Sequence, residues 1–216
     1  VGSEAGRAYL EASGVTLQPY KGGETLADQT LIVTQGGGKI LAQNRQAIGK
    51  WLDRGGRLLV VGLEEKEANA FLPFSVHTTQ TEYINTYFEP VGTRSLLAGI
   101  SPAELYLRAP RVIPLLNGGA NLRSYGVLAT QDYNIFCQLV PWEFDNPKQM
   151  NLKRTYRRLN VLMSRLLANM GVAQQTPLLE RFVTPLSKTS SEKRWLQGFY
   201  RDDPEEWDDP YRFFRW

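Results

Sequence analysis

Three places in this 216-residue chain hold residue types that could do chemistry. The first is the glycine run in LIVTQGGGKILAQN, residues 31–44. A strand, a glycine loop and a helix in that order cradle phosphate in many proteins, because loop amides and the helix N-terminus face the anion. A Walker loop needs GxxxxGK[ST], with a lysine on the phosphates and a hydroxyl on magnesium. Here Gly36-Gly37-Gly38 runs straight into Lys39, and Ile40 stands where the hydroxyl belongs. The dinucleotide pattern GxGxxG fails as well, since Gly38 is followed by Lys39, Ile40 and Leu41. The run therefore reads as a sharp turn between a central strand and its crossover helix. Lys39 at the helix start is set against the dipole, which leaves only a small case for an anion or acidic partner there.

The second place is Cys137. An activated thiol sits on an exposed elbow among small residues with a base in reach. IFCQLVPW instead sets Cys137 inside an apolar strand with bulky neighbours, where a thiol is buried and inert. His77, the single histidine, lies in FSVHTTQT with no motif around it and reads as a surface or loop residue. One cysteine and one histidine exclude an internal disulfide and leave no zinc set. No metal and no cofactor is expected.

The third is a set of carboxylates. Glycoside hydrolysis needs two, one acid and one base or nucleophile. Glu143 and Asp145, in PWEFD, follow a strand end, where α/β folds often place their sites. Asp202, Asp203, Glu205, Glu206, Asp208 and Asp209 form a second group. Clustered acids in an arginine-rich chain are more often salt-bridged or solvated, so neither group is specific.

The elements that must carry these residues follow from periodicity. Residues 4–13 read as a helix with Ser3 as N-cap and Gly14 as its stop. Val15-Thr16-Leu17 and Leu31-Ile32-Val33-Thr34 read as strands, the latter buried on both faces for want of polar alternation. A helix is expected over 40–53, with Ile40, Leu41, Ala47, Ile48, Trp51 and Leu52 as its apolar stripe. Arg57–Val61 is a further strand and Glu64–Phe71 a short helix before Pro73. Residues 74–126 are irregular, with extended pieces in 74–88 and a helical turn within 95–108. A hairpin follows over 127–140 with its turn near 131–133, then a long helix over 149–170. Strand, helix, strand with short glycine turns is the pattern of a parallel sheet with right-handed crossovers. Val1-Gly2 reads as the end of a strand feeding the first helix, so that strand is expected upstream of residue 1.

Composition narrows the partners. The net charge of +3 comes from 25 basic residues spread among 22 acidic ones. The densest basic run, Lys153 to Arg158, lies on an amphipathic helix and reads as a solvated face, so no nucleic acid is expected. No stretch reaches the roughly 18 apolar residues of a membrane span. The tail is unusual: eight of the 22 residues from Trp195 to Trp216 are aromatic, interleaved with acids, arginines and prolines. Each ring is worth on the order of 1.5–3 kcal/mol when buried, so the tail is expected to lie across its own domain or a neighbour. Phe199, Tyr200, Trp207, Tyr211, Phe213, Phe214 and Trp216 are the candidate docking surface, and exposed rings would instead suit stacking on sugars. The division expected is an α/β domain over 1–177 and an aromatic extension over 178–216.

LIVTQGGGKILAQNRQAIGKWLDRGGRLLVVGLEEKEANAFLPF resembles the class I glutamine amidotransferase-like, flavodoxin-like domain near the C-terminus of large bacterial glycoside hydrolases related to family 2 and β-galactosidases. NIFCQLVPWEFD, NLKRTYRRLNVLMSRLLANMGV and the closing DDPYRFFRW resemble that group too. The resemblance implies a three-layer α/β fold with a mostly parallel sheet. It carries over no catalytic residue, because Cys137 lacks the flanking glycines of a Gly-x-Cys-x-Gly elbow and no histidine follows it. It implies a degenerate domain for packing, assembly or shaping a neighbouring active site. The partners implied are other domains of a parent glycosidase and further copies of the chain. Alternatives are carbohydrate binding by the tail rings, a glycoside hydrolase fragment contributing to the active site, or a free-standing hydrolase using Glu143 or Asp145. Export from the cytoplasm is the address such parents suggest.

Overall fold

The computed structural model describes residues 1–22, 29–146 and 152–172. Helix α1 (Glu4–Ala12) starts where Ser3 Oγ accepts the Gly6 amide at 3.1 Å, with Glu4 in the first turn. Strand β1 (Thr30–Val33) leads into α2 (Gly37–Leu41), a 3₁₀ turn and α3 (Arg45–Asp53), and β2 (Arg57–Val61) follows. Helix α4 (Glu65–Phe71) precedes the strands β3 (His77–Tyr83), β4 (Arg111–Gly118), β5 (Asn121–Arg123), β6 (Leu128–Gln131) and β7 (Asn134–Cys137), and α5 (Lys153–Asn169) closes the described fold.

Five strands make one mixed sheet in the order β1-β2-β7-β6-β5. The first three are parallel, with Ile32 opposite Leu59 and Val60 opposite Phe136, while β6 and β5 run antiparallel. Alternation along the parallel strands sends side chains to two faces. Ile32, Leu59, Val61, Ile135 and Cys137 meet Tyr9 and Leu10 of α1 and the apolar side of α5. Leu31, Val33, Leu58, Val60 and Phe136 meet Leu41, Ile48, Trp51 and Phe71 from α2, α3 and α4. An α/β domain around a largely parallel sheet is thus what the chain builds.

Several expectations need correction. β1 is the edge strand of the five, not a central one. Its burial comes from helices on both faces and from Val1, whose ammonium donates to Ile32 O at 2.7 Å and whose carbonyl accepts the Thr34 amide at 2.9 Å. Val15-Thr16-Leu17 joins no sheet, because the Val15 amide turns back to Leu10 O at 3.1 Å and is spent on ending α1. The single helix over 40–53 is two helices with a 3₁₀ turn at Ala42–Asn44 between them. Ile40 leaves the expected stripe and is 59 % exposed, since it stands about 100° round the helix from buried Leu41. Region 74–126 is more regular than its composition suggests: β3 and β4 form a separate antiparallel ribbon, Glu82 opposite Val112.

Candidate functional site

The parallel strands β1, β2 and β7 all end at one rim, and the loops that follow them bring the candidate chemistry together. Gln35 follows β1, Gly62 follows β2, and Glu143 sits on a 3₁₀ turn, Pro141–Phe144, beyond β7. Gln35 Nε2 donates to Glu143 Oε1 at 3.0 Å across 108 residues of sequence. Gly62 donates its amide to Cys137 O at 2.8 Å and lies against the Gln35 amide and Val140. Partial desolvation raises the Glu143 carboxyl above its ordinary range, opposed by the Gln35 hydrogen bond and by the charge of Arg111. The Arg111 guanidinium stands 5.5 Å from the Phe144 ring centre.

Trp142, half-buried on the same turn, packs its ring 5.4 Å from that of Tyr9. Tyr9 in turn donates its hydroxyl to Asn160 Oδ1 of α5 at 2.8 Å. Asn160 is fully buried and its Nδ2 has no hydrogen-bond partner among the described residues; neither has the buried Gln138 Oε1, although Gln138 Nε2 donates to Leu63 O at 3.2 Å. The rim thus offers a carboxylate, an amide and a guanidinium above a polar core. These groups can bind hydroxyls or pass one proton, but among the described residues no second carboxylate of a glycosidase pair is set against Glu143: both Glu143 and Asp145 are exposed, and Glu143 is hydrogen-bonded to Gln35.

A raised carboxyl gives a signed expectation. The folded state holds the Glu143 proton more tightly than the unfolded chain, so stability is lost as pH rises through the ordinary carboxylate range. Glu143→Gln keeps the acceptor for Gln35 and removes the charge. Its melting temperature should exceed that of the unaltered chain at pH 7, and the gain should vanish near pH 3, where both forms are neutral. A melting temperature that falls at pH 7 would show that Arg111 and Gln35 outweigh the desolvation.

Cys137 lies in the central strand β7, wholly buried, and donates its thiol to Leu139 O at 3.4 Å. Burial pushes the thiol pKa up to about 12. It should resist iodoacetamide in the native chain at pH 8 and react once the chain is unfolded in urea; labelling at the same rate in both states would contradict the packing. His77 is exposed on β3, its Nδ1 3.3 Å from Glu65 Oε1. A wholly buried thiol and a solvent-facing imidazole on a separate ribbon cannot act as a nucleophile and base pair. Among the described residues no group of three or more His, Cys, Asp or Glu side chains could hold a metal ion.

The glycine run is occupied from within. Gly38 donates its amide to Glu67 Oε1 of α4 at 3.1 Å, so the carboxylate of a neighbouring helix takes the position an external anion would need. Lys39 is exposed. Periodicity located the turn, but nothing in the spacing of residues 38 and 67 marked their contact.

Phe199, Tyr200, Trp207, Tyr211, Phe213, Phe214 and Trp216 lie outside the described residues, as does the second acidic group. The Gln35–Glu143 and Tyr9–Asn160 contacts escaped sequence reading because they span 108 and 151 residues. The signal that could find the first was the strand-end rule that singled out Glu143. No described helix is long and apolar enough to cross a membrane. Comparison of the chain with protein-family models, with curated proteins and with solved structures finds no match.

Proposed function

We propose that this chain is a non-catalytic accessory and assembly domain of a bacterial glycoside hydrolase of the β-galactosidase-like kind, with a flavodoxin-like, three-layer fold and a degenerate amidotransferase-type centre. The observation that supports this reading is the state of the rim where such a centre would stand. Its one thiol is sealed inside β7, and the one imidazole faces solvent on another ribbon. The rings of the aromatic extension outside residues 202–209, Phe199, Tyr200, Tyr211, Phe213, Phe214 and Trp216, supply the contact to other domains of the parent or to further copies of the chain. Removing residues 195–216 from the parent enzyme should then lower its assembly, read by light scattering, together with its glycosidase rate. Unchanged assembly and rate would end the proposal.

A second reading rests on the Gln35–Glu143 pair, which could face a sugar bound chiefly by another domain. In that case the isolated chain hydrolyses no aryl glycoside, while Glu143→Gln in the parent raises KM with assembly intact. Hydrolysis by the isolated chain that Glu143→Gln abolishes would make the chain an enzyme by itself and overturn both readings.

A further inference from the structure

The outer side of α5 is an arginine face. Arg154, Arg157, Arg158, Val161 and Arg165 fall within about 100° of arc at 3.6 residues per turn, and no acid occurs among the helix's seventeen residues. The opposite side is buried through Leu159, Leu162, Met163 and Leu166. Beside the basic face, a 3₁₀ turn at Pro102–Leu105 and the loop after it pack along the helix, where the Arg108 amide donates to Thr155 Oγ1 at 2.9 Å. The Arg158 guanidinium stands 4.7 Å over the Tyr106 ring. Asn85, Pro102, Ala103, Tyr106 and Arg158 line an open cavity of about 270 Å³. Its walls are a phenol ring, a proline ring, a methyl group, an amide and a guanidinium. That lining suits a flat aromatic side chain with carboxylates beside it.

The same chain carries such a group. Residues 202–209, DDPEEWDD, hold six acids and no base, with Trp207 between Glu205-Glu206 and Asp208-Asp209. The 29 residues between Val172 and Asp202 can span on the order of 100 Å when extended, against about 25 Å for the length of α5. We infer that this acidic segment docks within its own molecule, with Trp207 in the Tyr106–Pro102 cavity and its carboxylates along Arg154, Arg157, Arg158 and Arg165. Charge complementarity sets the face, and the cavity sets the register. The inference goes beyond the glycosidase reading and holds whichever parent carries the chain.

Hydrogen exchange on the whole chain tests it. At low salt the amides of residues 202–209 should be protected. Trp207→Ala, and separately Arg157→Glu with Arg158→Glu, should each speed their exchange at least tenfold while β2 and β7 stay protected. Adding Glu205→Lys and Glu206→Lys to the arginine double variant should restore protection, which a merely structural role of the arginines would not do. If the arginine variants fail to fold, Trp207→Ala alone decides between docking and none. Exchange unchanged by Trp207→Ala, or no protection in the unaltered chain, would overturn the inference. Protection that grows with protein concentration would also overturn it, by placing the segment on a second molecule.

Discussion

Gly38→Ala is expected to cost about 3 kcal/mol of stability, against about 1 kcal/mol for Gly36→Ala two residues earlier. The two glycines differ in what surrounds them. A methyl group on Gly38 would sit 2.2 Å from the main-chain oxygen of Glu67, and that atom cannot move without shifting α4. Gly36 has a left-handed φ of +86° with nothing within 4 Å of the added carbon, so alanine there meets only the backbone penalty. Urea titrations of both variants measure the difference. A phosphate-binding loop makes the opposite forecast, because losing either amide geometry would abolish ligand-induced stabilisation while leaving the apo chain largely intact. Equal, small losses at both positions, together with a thermal shift on adding ATP, would therefore reinstate the nucleotide reading. The close approach of α2 to α4, sealed by the Gly38–Glu67 hydrogen bond, argues that the run serves packing.

How far the fold was legible follows from which interactions are local. β2 runs over the residues periodicity assigned, because Leu58, Leu59, Val60 and Val61 form an unbroken apolar run buried on both faces. α1 and its Ser3 cap were equally plain, since the cap is a contact across three residues. β3 was legible only as an extended piece, because one of its seven residues, Tyr83, is buried and the Thr-rich remainder shows no burial signal. What holds β3 is the ladder to β4, which begins 28 residues after β3 ends, and the Tyr83 hydroxyl on Leu105 O at 2.9 Å. Edge position escaped for a related reason: β1 is as apolar as a central strand because Val1 and two layers of helix shield it. Glu143 was legible as a strand-end carboxylate, whereas its Gln35 partner was set by which parallel strands became neighbours, and that is decided by tertiary packing.

The rim keeps its shape without an exposed thiol. The Cys137 thiol is part of the sheet's apolar layer, so its burial contributes to stability as a small hydrophobe does. The polar groups near the rim stabilise one another: Gln35 with Glu143, Tyr9 with Asn160, Gln138 with Leu63. Such pairs stabilise a folded chain only modestly, about 1 kcal/mol each, because water competes for the same groups in the unfolded state. Their value lies in fixing the turn after β7 against α1 and α5. The assembly role proposed above needs that surface to keep one shape, and it needs no reactive group on it.

Gly126→Ala should be the most damaging glycine-to-alanine change among the described residues, costing about 4 kcal/mol or more. Ser124, Tyr125 and Gly126 are left-handed in succession, with φ of 54°, 55° and 82°. An added carbon on Gly126 would lie 1.8 Å from Leu116 O on β4, so the ribbon would have to separate from the five-stranded sheet to admit it. Tyr125 supplies the contrasting case. Its ring is 79 % exposed and its backbone carries the left-handed penalty of about 1–2 kcal/mol without burying area in return. Tyr125→Gly relieves that penalty and gives back about 0.5–1 kcal/mol through the freer unfolded chain, so the variant should be as stable as the original or slightly more so. A loss above about 1 kcal/mol in Tyr125→Gly would mean that the ring packs on this chain after all, contrary to its exposure. Pairing the two variants in one set of urea titrations separates the glycine that the fold requires from the tyrosine that it merely displays.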